Sequence, residues 1–83
     1  MAINTTTDRY AIHTRTRRGV YHLVGTAPTS AKAFRLMADI VWIEVTKGIE
    51  AKVWISCEGE KIYEWDHEHD TLADAQSAAG FAL

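Results

Sequence analysis

The sequence predicts a small single-domain α+β fold, ordered ββαβββα, with an antiparallel sheet and two helices packed on one of its faces. Three observations carry that expectation. Three times a triplet ending in glycine separates β-like runs: Arg17-Arg18-Gly19, Thr46-Lys47-Gly48 and Cys57-Glu58-Gly59. A three-residue hairpin loop often closes with a left-handed residue, a conformation glycine adopts without steric cost. Threading such loops sorts the chain into an apolar and a polar sheet face, because side chains alternate along a strand. Two further segments carry apolar residues at helical spacing.

The domain spans residues 1–83, of which 1–7 (MAINTTT) form an expected flexible N-terminus. The first hairpin covers roughly Arg9 to Val24. Pairing across its glycine triplet groups Tyr10, Ile12, Thr14, Val20, His22 and Val24 on one face. Ala11, His13, Arg15, Tyr21 and Leu23 take the other. Thr29 or Ser30 then caps a helix with Ala33, Phe34, Met37 and Ala38 as its apolar stripe. A strand is expected from Ile40, since IVWIEV is rich in β-branched residues. The alternative is one longer helix to Lys47, because the stripe continues through Val41 and Val45.

In the meander that follows, Val45 pairs with Ile49, Ile43 with Ala51 and Val41 with Val53. Across the next loop, Ile55 faces Lys61, Val53 faces Tyr63 and Ala51 faces Trp65. One face then reads Val41, Ile43, Val45, Ile49, Ala51, Val53, Ile55, Tyr63 and Trp65, almost wholly apolar. The other is mostly polar yet carries Trp42, Trp54 and Ile62. A last helix starts at Thr71, with Asp74 at capping-box distance, and Gly80 suits its end.

At 47% apolar and 24% charged residues, the chain has the composition of a globular domain rather than a disordered one. Its single cysteine, Cys57, excludes an internal disulfide and a multi-cysteine zinc knuckle. The first residues lack the basic start and apolar run of a secretory signal, and the longest apolar run, Ile40 to Ile43, is too short to cross a bilayer. A cytoplasmic protein without membrane contact is expected.

The net charge of −2 hides a segregation. Arg9, Arg15, Arg17, Arg18, Lys32 and Arg35 occupy a stretch without acids. Glu58, Glu60, Glu64, Asp66, Glu68, Asp70 and Asp74 occupy one whose only base is Lys61. Such asymmetry points to charged partners, unless the two runs meet and cancel in the fold.

The densest polar stretch is EWDHEHD, Glu64 to Asp70. His67 and His69 would share a strand face, a metal-ligand spacing, but the expected topology brings no third soft ligand to them. No metal and no other cofactor is expected. The carboxylates alternate with apolar residues as exposed strand positions do, and a catalytic pair needs a pocket that shifts its proton affinities. The chain has no GxGxxG, GxxxxGK[ST], HExxH or GxSxG motif. Enzyme activity is therefore not expected.

Two binding readings remain. In the first, the sheet face away from the helices and the acidic stretch bind a protein, through Trp42, Glu44, Trp54, Glu58, Glu60, Glu64, Asp66, Glu68 and Asp70. Tryptophan is enriched in interface hot spots, and acids suit a basic, nucleic-acid-handling partner with whose nucleic acid they compete. The apolar patch also suits a homodimer. The alternative is a small nucleic-acid-binding accessory or regulatory protein using the basic hairpin residues Arg15, Arg17 and Arg18, with Lys32. A short, cysteine-poor domain without a catalytic motif also resembles, in size and style, phage-encoded inhibitors of bacterial defence, anti-CRISPR proteins among them. That resemblance attaches to no motif and no residue. It implies an inhibitor or adaptor at work in a bacterial or phage-infected cell.

Overall fold

The computed structural model describes residues 8–81. The flexibility expected of residues 1–7 lies outside them. The elements are β1 (Tyr10–Thr16), β2 (Tyr21–Ala27), α1 (Ser30–Lys47), β3 (Ala51–Cys57), β4 (Glu60–Asp66) and α2 (Leu72–Phe81). The α+β class and the antiparallel sheet are as expected, but the order is ββαββα, with four strands running β2-β1-β3-β4. Among the described residues, no helix is long and apolar enough to cross a membrane.

The strand expected from Ile40 is replaced by the second half of α1. Ala33, Met37, Ile40 and Val41 are its buried residues, a stripe that is contiguous only on a helix. The glycine triplet at Thr46 is that helix's C-cap rather than a hairpin loop. Gly48 sits at φ 72°, its N–H reaches the Val45 carbonyl, and Ile49 N–H reaches that of Glu44. Hairpin loops and helix ends both demand a left-handed residue, so a glycine after a polar pair does not tell them apart. Burial of the stripe outweighs the modest helix reluctance of Val and Ile. At the other end, Thr29 accepts a hydrogen bond from Lys32 N–H, as an N-cap should.

The second hairpin reaches the expected faces by a different route. Its loop is two residues, Glu58 and Gly59, both at positive φ (53° and 89°), so Cys57 pairs with Glu60. A bulge beyond Ile55 then shifts the ladder by one more residue, giving Ile55 opposite Tyr63 and Val53 opposite Trp65. The expected pairing is thus off by two. Parity survives, and Val53, Ile55, Tyr63 and Trp65 still face the helices. The first hairpin pairs as expected from Arg15 with Tyr21 to His13 with Leu23. A bulge at Val24 then sets Ile12 opposite Gly25.

Strand β1 lies between β2 and β3, with Ile12 opposite Ile55. The core joins Ile12, Val53, Ile55 and Trp65 of the sheet to Ala33, Met37, Ile40 and Val41 of α1 and Ala75 of α2. Both helices therefore lie on one face. Trp65 anchors α2 by donating its indole N–H to the Thr71 carbonyl at 2.8 Å. The expected capping box forms: Thr71 N–H donates to Asp74 and Asp74 N–H to the Thr71 hydroxyl. The helix runs on through Gly80 rather than ending there.

Candidate functional site

Because both helices share one side, the described residues leave the other face of the sheet open. Cross-strand pairing arranges it in rows. One row runs Leu23, His13, Trp54, Glu64, and the next runs Tyr21, Arg15, Lys52, Asp66. Crossing from β2 to β4, the surface passes from neutral and apolar through a band of aromatic and basic groups to an acidic border.

The aromatic groups form one cluster. Ring centroids of His13 lie 5.2 Å from Trp54 and 5.7 Å from Tyr21, and those of Tyr21 and Trp54 are 5.9 Å apart. Lys61 Nζ stands 5.3 Å from the centre of the Trp54 ring. Hydrogen bonds fix the middle of the group: His13 Nδ1 lies 2.6 Å from the Tyr21 hydroxyl and Nε2 2.8 Å from that of Ser56. Either hydroxyl can donate or accept, so a neutral imidazole satisfies both contacts.

Burial pulls the His13 pKa below the ordinary 6.5. The neutral ring is thus the folded state's preferred form. Above that ordinary value neither state is protonated and the stability is fully present. As pH falls below it the unfolded chain takes up the proton first, so stability declines down to the folded pKa. Chemical denaturation across this window should show that decline, and His13→Gln should flatten it. Identical profiles for the two proteins would contradict the assignment.

The two charge runs partly meet in space. Between the runs Arg9 pairs with Glu58 at 3.1 Å; elsewhere Arg17 pairs with Glu50 at 2.9 Å, Lys52 with Asp66 at 3.9 Å and Lys61 with Glu64 at 3.5 Å. Where the first hairpin tip meets the β4–α2 turn, an open cleft is lined by Arg15, Arg17 and Lys52 together with Glu50, Asp66 and Glu68. Exposed pairs of this kind are screened by solvent, so they organise charge more than they stabilise.

The expected protein-binding residues do not form one patch. Trp54 and Glu64 lie on the open face, with Glu60 at the start of the same edge strand. Trp42 and Glu44 are corrected from the sheet to α1, on the other side of the molecule, where Trp42 is exposed. Glu58 occupies the tight turn. Asp66 and Asp70 are structural: Asp70 accepts from Asp66 N–H, and Asp66 accepts from Glu68 N–H. Of the alternative set, Arg15, Arg17 and Arg18 gather at the first hairpin tip. Lys32 lies beyond the far end of β2, about 20 Å away at the rise of a strand.

The residues the sequence reading missed are Tyr21, His13, Ser56 and Lys61. Alternation already placed His13, Arg15 and Tyr21 together. What was absent was any local signal that β1 sits beside β3. His67 and His69 fall in the turn after β4 rather than on the strand. Donor atoms of Asp66, Glu68 and His69 lie within 4.8 Å of one another, and the turn's own hydrogen bonds account for that convergence. The Nε2 atom of His67 is buried without a hydrogen-bond partner among the described residues.

Fold and surface together define a class: a two-layer α+β domain whose aromatic-bearing sheet face no described element covers. No protein-family model, no curated protein and no solved structure gives a significant match to the chain.

Proposed function

We propose that the chain is a non-enzymatic binding module, an inhibitor or adaptor, that holds a protein partner on its open sheet face. The observation that carries this reading is the ordered cluster of Trp54, His13 and Tyr21 on a face that no described element covers. A hydrogen-bonded aromatic group is a preorganised anchor, and a polar border around an aromatic centre is how protein interfaces are built. Glu64 on the open face, with Glu60 at the start of the same edge strand and Glu68 in the turn that follows it, makes the acidic edge that meets the partner's basic groups. Such a partner handles nucleic acid, and the acids compete for its cationic surface. This is the mode of action of an inhibitor of bacterial defence of the kind phages encode, anti-CRISPR proteins included, working in the cytoplasm of the host.

The test is a binding assay on captured partner. Trp54→Ala should weaken capture at least about 30-fold, the loss of a hot-spot residue. The charge reversals Glu60→Lys, Glu64→Lys and Glu68→Lys together should abolish it while leaving the fold intact, since all three residues are exposed. Asp66 and Asp70 are unsuitable for this purpose because they hold the turn. Capture that survives both sets of changes would refute the proposal.

A second reading rests on Arg15 and Lys52, opposite each other on β1 and β3, and on Lys61 over Trp54, basic groups that flank the aromatic cluster on two sides and could hold a nucleic-acid strand. It predicts the reverse pattern. Arg15→Glu with Arg18→Glu would then abolish binding, and the glutamate reversals would strengthen it.

A further inference from the structure

The two edges of the sheet are built differently. Strand β4 carries Glu60, Lys61, Glu64 and Asp66 along its seven residues, the charged protection that keeps an edge from pairing with another chain. Strand β2, YHLVGTA, carries no acid, no lysine, no arginine and no proline. It is exposed along most of its length, with Tyr21, Leu23 and Val24, and Val20 just before it, each 44–55% accessible. An edge that no described element covers, and that holds no acid, lysine or arginine, needs an occupant.

The sequence around His22 says which one. Val20-Tyr21-His22-Leu23-Val24 is palindromic in residue class: valine at both ends, a large apolar residue inside each, and histidine at the centre. Two-fold antiparallel pairing of a strand with its own copy matches residue i to residue j and j to i, so a palindrome is self-complementary. Backbone direction selects the same centre. The Val20 carbonyl is bonded inward, to Thr16 N–H of β1. Carbonyls alternate along a strand, so those of Tyr21 and Leu23 point outward to the free edge. Centring the pair on His22 sets Tyr21 of one copy against Leu23 of the other. Their N–H and C=O groups can then close reciprocal bonds, and Val20 meets Val24. The bulge at Val24 ends the flat stretch there, so the pairing is short and centred before it. Neither strand sets an acid, a lysine or an arginine opposite its copy.

We propose that the chain forms a two-fold homodimer through β2, centred on His22, which joins two four-stranded sheets into one of eight. Both helical layers then lie on the same side, and the aromatic cluster is doubled across the open face. This inference does not rest on the identity of any other partner.

Light scattering on the purified full chain, from micromolar to millimolar concentration, reads the result. The mass should approach twice the 9.3 kDa of the chain and fall to that of one chain in Leu23→Lys. Ile62→Lys, on exposed β4, should keep the dimer. A second variant tests the register. In a Cys57→Ser background, His22→Cys should form an intermolecular disulfide on mild oxidation, because a directly opposed pair brings its Cα atoms within disulfide range. A monomer at every concentration would overturn the proposal, leaving the edge to a foreign strand. So would a dimer that Leu23→Lys leaves unchanged, or an unlinked His22→Cys protein.

Discussion

Replacing Trp65 by alanine is expected to cost about 3–5 kcal/mol of unfolding free energy, the range for truncating a buried tryptophan. A domain of this length has roughly 4–12 kcal/mol in total, so the variant should be largely unfolded or sharply less stable at room temperature. The cost is at the top of the scale because Trp65 does two jobs. Its ring is 1% exposed in the centre of the core, opposite Val53. Its indole N–H holds the Thr71 carbonyl and so fixes where α2 begins. Trp65→Phe separates the two contributions: it keeps most of the volume and loses the hydrogen bond, at about 1–3 kcal/mol. Urea denaturation followed by circular dichroism measures both. A Trp65→Ala protein as stable as the wild type would show that the core is not organised around this ring.

The second large effect distinguishes a helix from a strand over residues 40–47. A strand would bury Val41 and Val45 on one face, and aspartate should then cost the same at either. In α1, Val41 is 0% exposed and Val45 is 42% exposed. Val41→Asp should therefore cost about 3–5 kcal/mol, the penalty of an uncompensated buried charge. Val45→Asp should cost about 1 kcal/mol or less, chiefly from a negative charge in the last helical turn. Equal losses at the two positions would contradict the helix.

What could be read from the sequence follows from how far each signal reaches along the chain. Alternation and capping are local, and they served well. The faces of Val53, Ile55, Tyr63 and Trp65, the Thr71–Asp74 box and the three pairs from Arg15–Tyr21 to His13–Leu23 could all be read from neighbours. Bulges are less legible, because no residue type marks them. The one beyond Ile55 was invisible but harmless, since a shorter loop offset its change of parity. Over residues 40–47 two local signals conflict: β-branched residues favour a strand, and the stripe from Ala33 favours a helix. Only burial against β1 and β3 decides between them, and that depends on the whole fold. The binding surface was half legible for the same reason. Trp54 and Glu64 were assigned to the open face, but Trp42 followed the mistaken strand. The His13–Trp54 stack depends on β1 lying beside β3, a contact between residues forty-one positions apart.

The central claim is that the open face binds a protein and not a nucleic acid. Affinity capture of the tagged chain from bacterial lysate, with and without nuclease, tests it most directly. The account predicts a stoichiometric protein that persists after nuclease treatment and is lost with the Glu60, Glu64 and Glu68 reversals. Partners that vanish on nuclease treatment, and that depend instead on Arg15 and Arg18, would contradict it and make the basic hairpin the working surface.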